Sequence, residues 1–293
     1  MSKRKFFNKI KTQHRIIKTK IPAPATFRLI NKLKKVESRS MHGQLPIIWS
    51  KAENFSIFDI AGNKFIDFTS TIFVANIGHS NKKLVKNVKS LLNKPLLNTY
   101  AYTNTIRLKY LNELVKFVGQ KNFKAFLLSS GTESTEAALK IMRMYSQKIK
   151  KRRGGIICFD GNWHGRTLGS QMMSGNHDQK KWINQLDRDI HHLPFPYPWD
   201  LKRKNCKKIF QDGLNKLKNK GVDLKKDICG IMLESFQGWG AIFYPNEFIN
   251  LIKNFAKKNG ILICFDEMQA GFARTGKKFG FNHHKIKPDL ICC

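Results

Sequence analysis

Residues 261–276 run Ile261-Leu262-Ile263-Cys264-Phe265-Asp266-Glu267-Met268-Gln269-Ala270-Gly271-Phe272-Ala273-Arg274-Thr275-Gly276. The first five are apolar without alternation, which predicts a strand buried on both faces. Two carboxylates and a glycine-bearing turn follow. Four further runs share the unbroken apolar pattern: Phe126-Leu127-Leu128, Ile156-Ile157-Cys158-Phe159, Ile231-Met232-Leu233 and Leu290-Ile291-Cys292-Cys293. Helical patterns, such as Glu247 to Lys258, lie between several of them. Strands separated by helices predict an α/β fold with a mainly parallel sheet. Ligands in such sheets bind beyond the C-terminal ends of the strands, so the chemistry is sought there. Upstream, residues 44–75 predict short strands. Phe55 to Asp59 and Lys64 to Phe68 flank Ala61-Gly62-Asn63 as a hairpin would.

Lys and Arg total 54 against 20 Asp and Glu, a formal net charge of +34. Small soluble domains usually carry about 2–8. Such an excess would suit a polyanion partner. The lysines are spread along the whole chain, however, and no nucleic-acid-binding motif accompanies them, so solvated lysines are expected and no nucleic-acid partner. Within residues 1–20, Lys3, Arg4, Lys5, Lys9, Lys11, Arg15, Lys18 and Lys20 meet no acid. A basic, frayed leader is expected. No apolar run nears the ~20 residues that span a bilayer, which predicts a soluble chain without a membrane partner. The cysteines include no C-x-x-C pair, which fits a reducing cytoplasm. Cys158, Cys264, Cys292 and Cys293 lie in apolar runs and are expected to be buried.

Four strand ends carry candidate chemistry. Ser129-Ser130-Gly131-Thr132-Glu133 opens a helix, and Ser130 and Glu133 have capping-box spacing. The segment is either an anion seat or an ordinary cap. Gly161-Asn162-Trp163-His164-Gly165-Arg166-Thr167 offers an aromatic platform and an arginine, or a surface loop with a packed Trp. Glu234-Ser235-Phe236-Gln237-Gly238-Trp239-Gly240 follows the third run. Asp266 ends the fourth. A carboxylate there is costly unless a positive partner, such as a protonated pyridine nitrogen, meets it, or unless it caps a helix.

Together these segments resemble the class III pyridoxal-phosphate-dependent aminotransferases. The match runs through Ser-Gly-Thr-Glu with Glu136 and Lys140, aromatic-His-Gly-Arg-Thr, Glu-x-x-Gln-Gly, Asp-Glu-x-Gln-x-Gly-x-x-Arg-Thr-Gly and Pro288-Asp289, with Gly78-His79 as an earlier element. It covers roughly residues 45–293, and the block from Asp266 to Gly276 is its most specific part. The resemblance implies the fold type I of pyridoxal-phosphate enzymes and pyridoxal 5'-phosphate as cofactor. It implies that Gly131 and Thr132 bind the cofactor phosphate, that Trp163 stacks on the ring and that Asp266 pairs with the pyridine nitrogen. Gln269 would meet the phenolic oxygen, Arg166 the substrate carboxylate, and Glu234 is the first acid of the family's substrate-side pattern. The implied reaction moves an amino group from an amino acid, an ω-amino acid such as 4-aminobutyrate or acetylornithine, to a 2-oxo acid. Close relatives in the family also run aminomutase and racemase reactions, and a homodimer is implied for the full-length enzyme.

Two departures from the family pattern stand out. Its second acid is Trp239 here. The lysine that forms the Schiff base would fall just beyond Cys293, as would the small C-terminal domain. The chain is therefore expected to be a fragment that seats the cofactor without turnover. The expected organisation is a basic leader and helix at 1–43, a strand segment at 44–78 and an incomplete large domain at 79–293. Three other chemistries have weaker support in the sequence. Gly271 to Lys278 nearly fits a phosphate-binding loop, but Lys278 stands where a hydroxyl should hold magnesium. A basic nucleic-acid-binding remnant has only the charge in its favour. His191-His192 and His283-His284 are adjacent pairs whose side chains point apart, which predicts solvated loop histidines and no metal.

Overall fold

In the computed structural model, residues 9–94, 96, 99, 101–120 and 122–293 are described. The chain divides into two compact units, residues 1–104 and 105–293. The expected boundaries after residues 43 and 78 both fall inside the first.

The first unit contains β1 (Ile10–Lys11), β2 (Ile16–Ile17), α1 (Pro24–Leu33), β3 (Trp49–Glu53), β4 (Ser56–Asp59), β5 (Lys64–Ile66), the short turn α2 (Ser70–Phe73) and α3 (Lys82–Leu92). Its sheet has the order β1-β2-β5-β4-β3, with every pair antiparallel. The expected hairpin is β4–β5. The leader is not frayed between residues 10 and 17: β1 and β2 extend the hairpin's sheet, and Ile17 is buried. Asn63 explains the attachment. Its buried side chain accepts from the amides of Lys18 and Thr19 and donates to Asp59, which ties the turn to the leader. The remaining leader basics, Lys3, Arg4 and Lys5, lie outside the described residues.

The second unit contains α4 (Thr105–Val118), α5 (Gly131–Lys148), β6 (Gly155–Phe159), α6 (Leu168–Met173), β7 (Ile190–Leu193), α7 (Pro198–Leu201), α8 (Cys206–Asn219), β8 (Ile228–Glu234), β9 (Phe236–Gln237), β10 (Ile242–Phe243), α9 (Asn246–Asn259), β11 (Leu262–Asp266) and β12 (Leu290–Cys292). Five strands form one parallel sheet in the order β12-β11-β8-β6-β7. The continuous apolar runs have the expected cause: both faces are covered. Ile231, Leu233, Ile263 and Phe265 pack with α8 and α9 in one core. Cys158, Met232, Cys264 and Cys292 pack with Met142 of α5 and Met173 of α6 in the other. Full burial of each large apolar side chain contributes roughly 1.5–3 kcal/mol. In α9 the spacing of Phe248, Ile249, Ile252 and Ala256 presents one face to the core.

Three expectations are corrected. Phe126-Leu127-Leu128 is not a strand; it has no regular secondary structure, is exposed, and lines a cavity of about 680 Å³ shared with Leu290 to Cys293. No described strand pairs with it, and an apolar run without a neighbour earns no ladder hydrogen bonds. Conversely, Ile190 to Leu193 is a strand, which places His191 and His192 half-buried at the sheet edge. His284 is buried as well, its Nδ1 2.6 Å from Asn246 Oδ1, so of the four paired histidines only His283 is a surface residue. Among the cysteines, Cys206 and Cys229 join the buried set and Cys293 is exposed. No helix among the described residues is long and apolar enough to cross a membrane.

His192 supplies a pH-dependent element. Its Nε2 lies 3.3 Å from Lys180 Nζ and 3.0 Å from Ser174 O. Burial, and then the Lys180 charge, push its pKa down to about 3. The unfolded chain binds a proton at His192 near pH 6.5 and the folded chain does not. Stability therefore falls as pH drops from about 6.5 toward 3, because the unfolded state binds more protons in that window. We expect His192→Gln to flatten this part of the stability–pH curve in urea titrations; an unchanged slope would assign the acid sensitivity elsewhere.

Candidate functional site

The N-terminus of α5 begins the site. Ser130 is extended and its hydroxyl accepts from the Glu133 amide at 3.3 Å, while Glu133 Oε2 accepts from the amides of Ser129 and Ser130 at 2.7 and 3.1 Å. The capping box thus forms as its spacing predicts. It leaves the amides of Gly131 and Thr132 without a partner among the described residues, and the positive helix end faces the same way. This arrangement suits an anion such as a phosphate. The Thr132 hydroxyl is already engaged, 2.7 Å from Thr167 Oγ1. Glu136 Oε1 accepts from the amides of Gly169 and Ser170, which pins the loop after β6 against the helix.

Asp266 and Glu234 end neighbouring strands and are register partners across β11 and β8. Both are buried, at 5% and 4% exposure. Each reaches the loop that carries Trp163. Asp266 Oδ2 lies 2.9 Å from His164 Nδ1, and its Oδ1 accepts from the Met268 amide at 3.2 Å. Glu234 Oε2 accepts from the Trp163 amide at 2.8 Å, and its Oε1 from the Gly238 amide at 3.3 Å. Burial pushes the Glu234 carboxyl well above the usual carboxylate range, and the nearby Asp266 charge adds to the rise. Glu267, the next acid, faces the other way. It accepts from the Ser235 hydroxyl and the amides of Gly280 and Phe281, and so organises the segment after the glycine turn.

Trp163 is half-buried. The Trp239 ring meets it edge to face with centroids 6.1 Å apart, and the Arg166 guanidinium lies 5.4 Å from its ring centroid. The tryptophan at the second-acid position is 66% exposed, so it extends the aromatic surface outward. Met268 joins the two halves of the site. Its Sδ lies 2.9 Å from where a Cβ at position 131 would stand, so the turn after β11 rests on the start of α5. Gln269 Oε1 is buried with no hydrogen-bond partner among the described residues.

The structure thus places Trp163, Glu234, Asp266 and Gln269 about one strand-end cluster, with Arg166 above Trp163. Gly131 and Thr132 adjoin it through Met268. Asp266 is not a helix cap. Glu234 sits behind the Trp163 loop with both oxygens engaged by backbone amides. His164, in sequence only one residue of a motif, is buried and touches Asp266; its place between Trp163 and Gly165 is the signal that marks it. The phosphate-loop alternative fails on geometry, because residues 271–279 form turns and no helix starts at Gly276. A pyridine ring bearing a phosphate fits the donor set: a buried carboxylate for a ring nitrogen, open helix amides for the phosphate and an aromatic face.

The family described as Aminotransferase class-III matches residues 38–293. A 4-aminobutyrate aminotransferase of Mycobacterium leprae is 30% identical over 299 residues, covering 96% of this chain and 64% of the relative. A diaminobutyrate–2-oxoglutarate aminotransferase of Haemophilus influenzae is 29% identical, covering 86% of this chain and 56% of the relative. A leucine/methionine racemase of Thermococcus litoralis is 29% identical, covering 84% and 56%. The solved taurine:2-oxoglutarate aminotransferase of Bifidobacterium kashiwanohense, in complex with PLP and glutamate, superposes with a TM-score of 0.79 at 23% identity, covering 91% of this chain and 60% of that one. The chain therefore spans less than two thirds of the length of these relatives. Pyridoxal 5'-phosphate is the cofactor of the family they represent. The family match over residues 38–293 and the parallel α/β sheet agree, and the chain belongs to the class-III aminotransferase family.

Proposed function

We propose that these residues form the cofactor-holding part of an aminotransferase that moves an amino group from an ω-amino acid, such as 4-aminobutyrate or acetylornithine, to a 2-oxo acid. The observation that carries this is Asp266, a buried carboxylate at a strand end, oriented by His164 at 2.9 Å. When bound, pyridoxal phosphate supplies an electron sink for charge developing on the substrate carbon. The chain's own residues do the rest. The amides of Gly131 and Thr132 take the phosphate. Asp266 presents negative charge to the ring nitrogen and keeps a proton on it. His164 is a positioning residue that fixes the Asp266 carboxylate. Trp163 gives the ring a flat apolar face, and Gln269 meets the phenolic oxygen. Arg166, exposed beside Trp163, offers its guanidinium to the substrate carboxylate. Glu234 holds the Trp163 backbone. The relatives that act on 4-aminobutyrate and diaminobutyrate support this donor class. The whole protein is proposed to work in the cytoplasm as a homodimer. A racemase or aminomutase reaction is the second reading, favoured by the Thermococcus litoralis relative.

No lysine among the described residues stands at Asp266. Lys277 and Lys278, the next lysines along the chain after Asp266, hold Asn282 O and Phe117 O. The 293-residue chain should therefore bind pyridoxal phosphate, with quenching of tryptophan fluorescence, yet show no transamination between 4-aminobutyrate and 2-oxoglutarate; turnover by the purified chain would disprove this. Asp266→Asn removes the charge that meets the ring nitrogen, and a loss of at least about tenfold in pyridoxal phosphate affinity is expected. His164→Leu strands a buried carboxylate, at a cost of about 1–3 kcal/mol in urea unfolding. Full stability in that variant would remove His164 from its positioning role.

A further inference from the structure

Gln269 Oε1 is a buried acceptor with no donor among the described residues. The space beside it is shared with Glu234. A Cβ on Gly238 would lie 2.1 Å from Gln269 Oε1 and 3.1 Å from Glu234 Oε1, so only glycine leaves room for the two side chains there. Two buried acceptor oxygens that border one such space repel unless a proton lies between them. Among the described residues no cationic side chain is paired with Glu234 to relieve this. Among the described residues Glu234 receives only the backbone amides of Trp163 and Gly238, and its Oε1 takes the longer of these bonds, 3.3 Å against 2.8 Å. The titratable groups around it are Asp266, its register partner, and Tyr244, whose buried hydroxyl bonds Asn162. Asp266 is itself engaged by His164 and the Met268 amide.

We propose that Glu234 is held as the neutral acid and donates a hydrogen bond from Oε1 to Gln269 Oε1 across Gly238. This bond fixes the Gln269 amide. Its oxygen turns toward Glu234, and its NH2 group is left to face the phenolic oxygen of the cofactor. Glu234 is then a positioning residue twice over, for the Trp163 backbone and for the Gln269 side chain. Burial and the adjacent Asp266 carboxylate favour the protonated form. The consequence for the cofactor rests on the function proposed above, whereas the hydrogen bond itself does not.

The test uses the 293-residue protein without cofactor at neutral pH. An infrared difference spectrum against Glu234→Gln should show the carbonyl stretch of a protonated carboxyl, which a carboxylate lacks. In Gln269→Met, where the acceptor is gone, that band should move to higher frequency. Pyridoxal phosphate affinity gives a second readout. Glu234→Gln retains an N–H donor and should bind within about twofold of the parent, while Glu234→Met and Gln269→Met should each lose about tenfold. A difference spectrum with carboxylate bands alone overturns the proposal. So does a protonated band that ignores Gln269→Met and shifts in Asp266→Asn, which would place the proton between the two acids. Failure of the parent to bind pyridoxal phosphate would count against the functional assignment and leave the infrared result standing.

Discussion

Asp266 is a carboxylate buried at the end of β11, and the rest of the site is arranged around that cost. A charge removed from water needs a partner of opposite sign or several hydrogen bonds. Here the protein supplies His164 Nδ1 and the Met268 amide. Both belong to segments that also build the ligand-facing surface. His164 follows Trp163, and Met268 rests on the start of α5. Satisfying one carboxylate thus brings the aromatic face and the open helix amides to the same place. The side of Asp266 not engaged by the protein is where a cationic ring nitrogen would complete the set.

Glu234 repeats this logic from the next strand. Parallel pairing sets it level with Asp266, so two acids sit side by side with little water. Each grips a different atom of the same loop, one the Trp163 amide and the other the His164 ring. Like charges so placed cannot both be cheap, and burial together with the Asp266 charge raises the Glu234 carboxyl. The environment therefore divides the labour, with Asp266 bound to a ring N–H and Glu234 bound to neutral amides. A perturbed buried acid such as Glu234 is common at functional sites.

The fold was legible wherever burial left a mark on composition. Ile156 to Phe159, Ile231 to Leu233 and Ile261 to Phe265 are unbroken because helices cover both sheet faces, and all three lie in parallel strands. The same rule misjudged Phe126 to Leu128, because an apolar run records a tendency to be covered and not the presence of a neighbour. It also passed over Ile190 to Leu193. That edge strand carries His191 and His192, and polar residues there are paired by Lys180 and by carbonyls distant in sequence. In the leader, the pairing of Ile16 with Lys64 could not be seen from charge alone.

What the sequence by itself determined was the α/β class, the capped start of α5, the order of the motifs and hence the family. Each of these depends on local spacing: apolar runs, a cap three residues from its glutamate, glycines at fixed offsets from acids. What only the tertiary structure decided was how the motifs serve one another. Glu234 turned out to face a backbone amide, Trp239 to stand edge-on to Trp163, and Gln269 to hold a buried oxygen without a donor. These relations join residues brought together by parallel strand register and by helix packing. The energies that fix them, desolvation above all, depend on what surrounds an atom in space and leave no periodic trace along the chain.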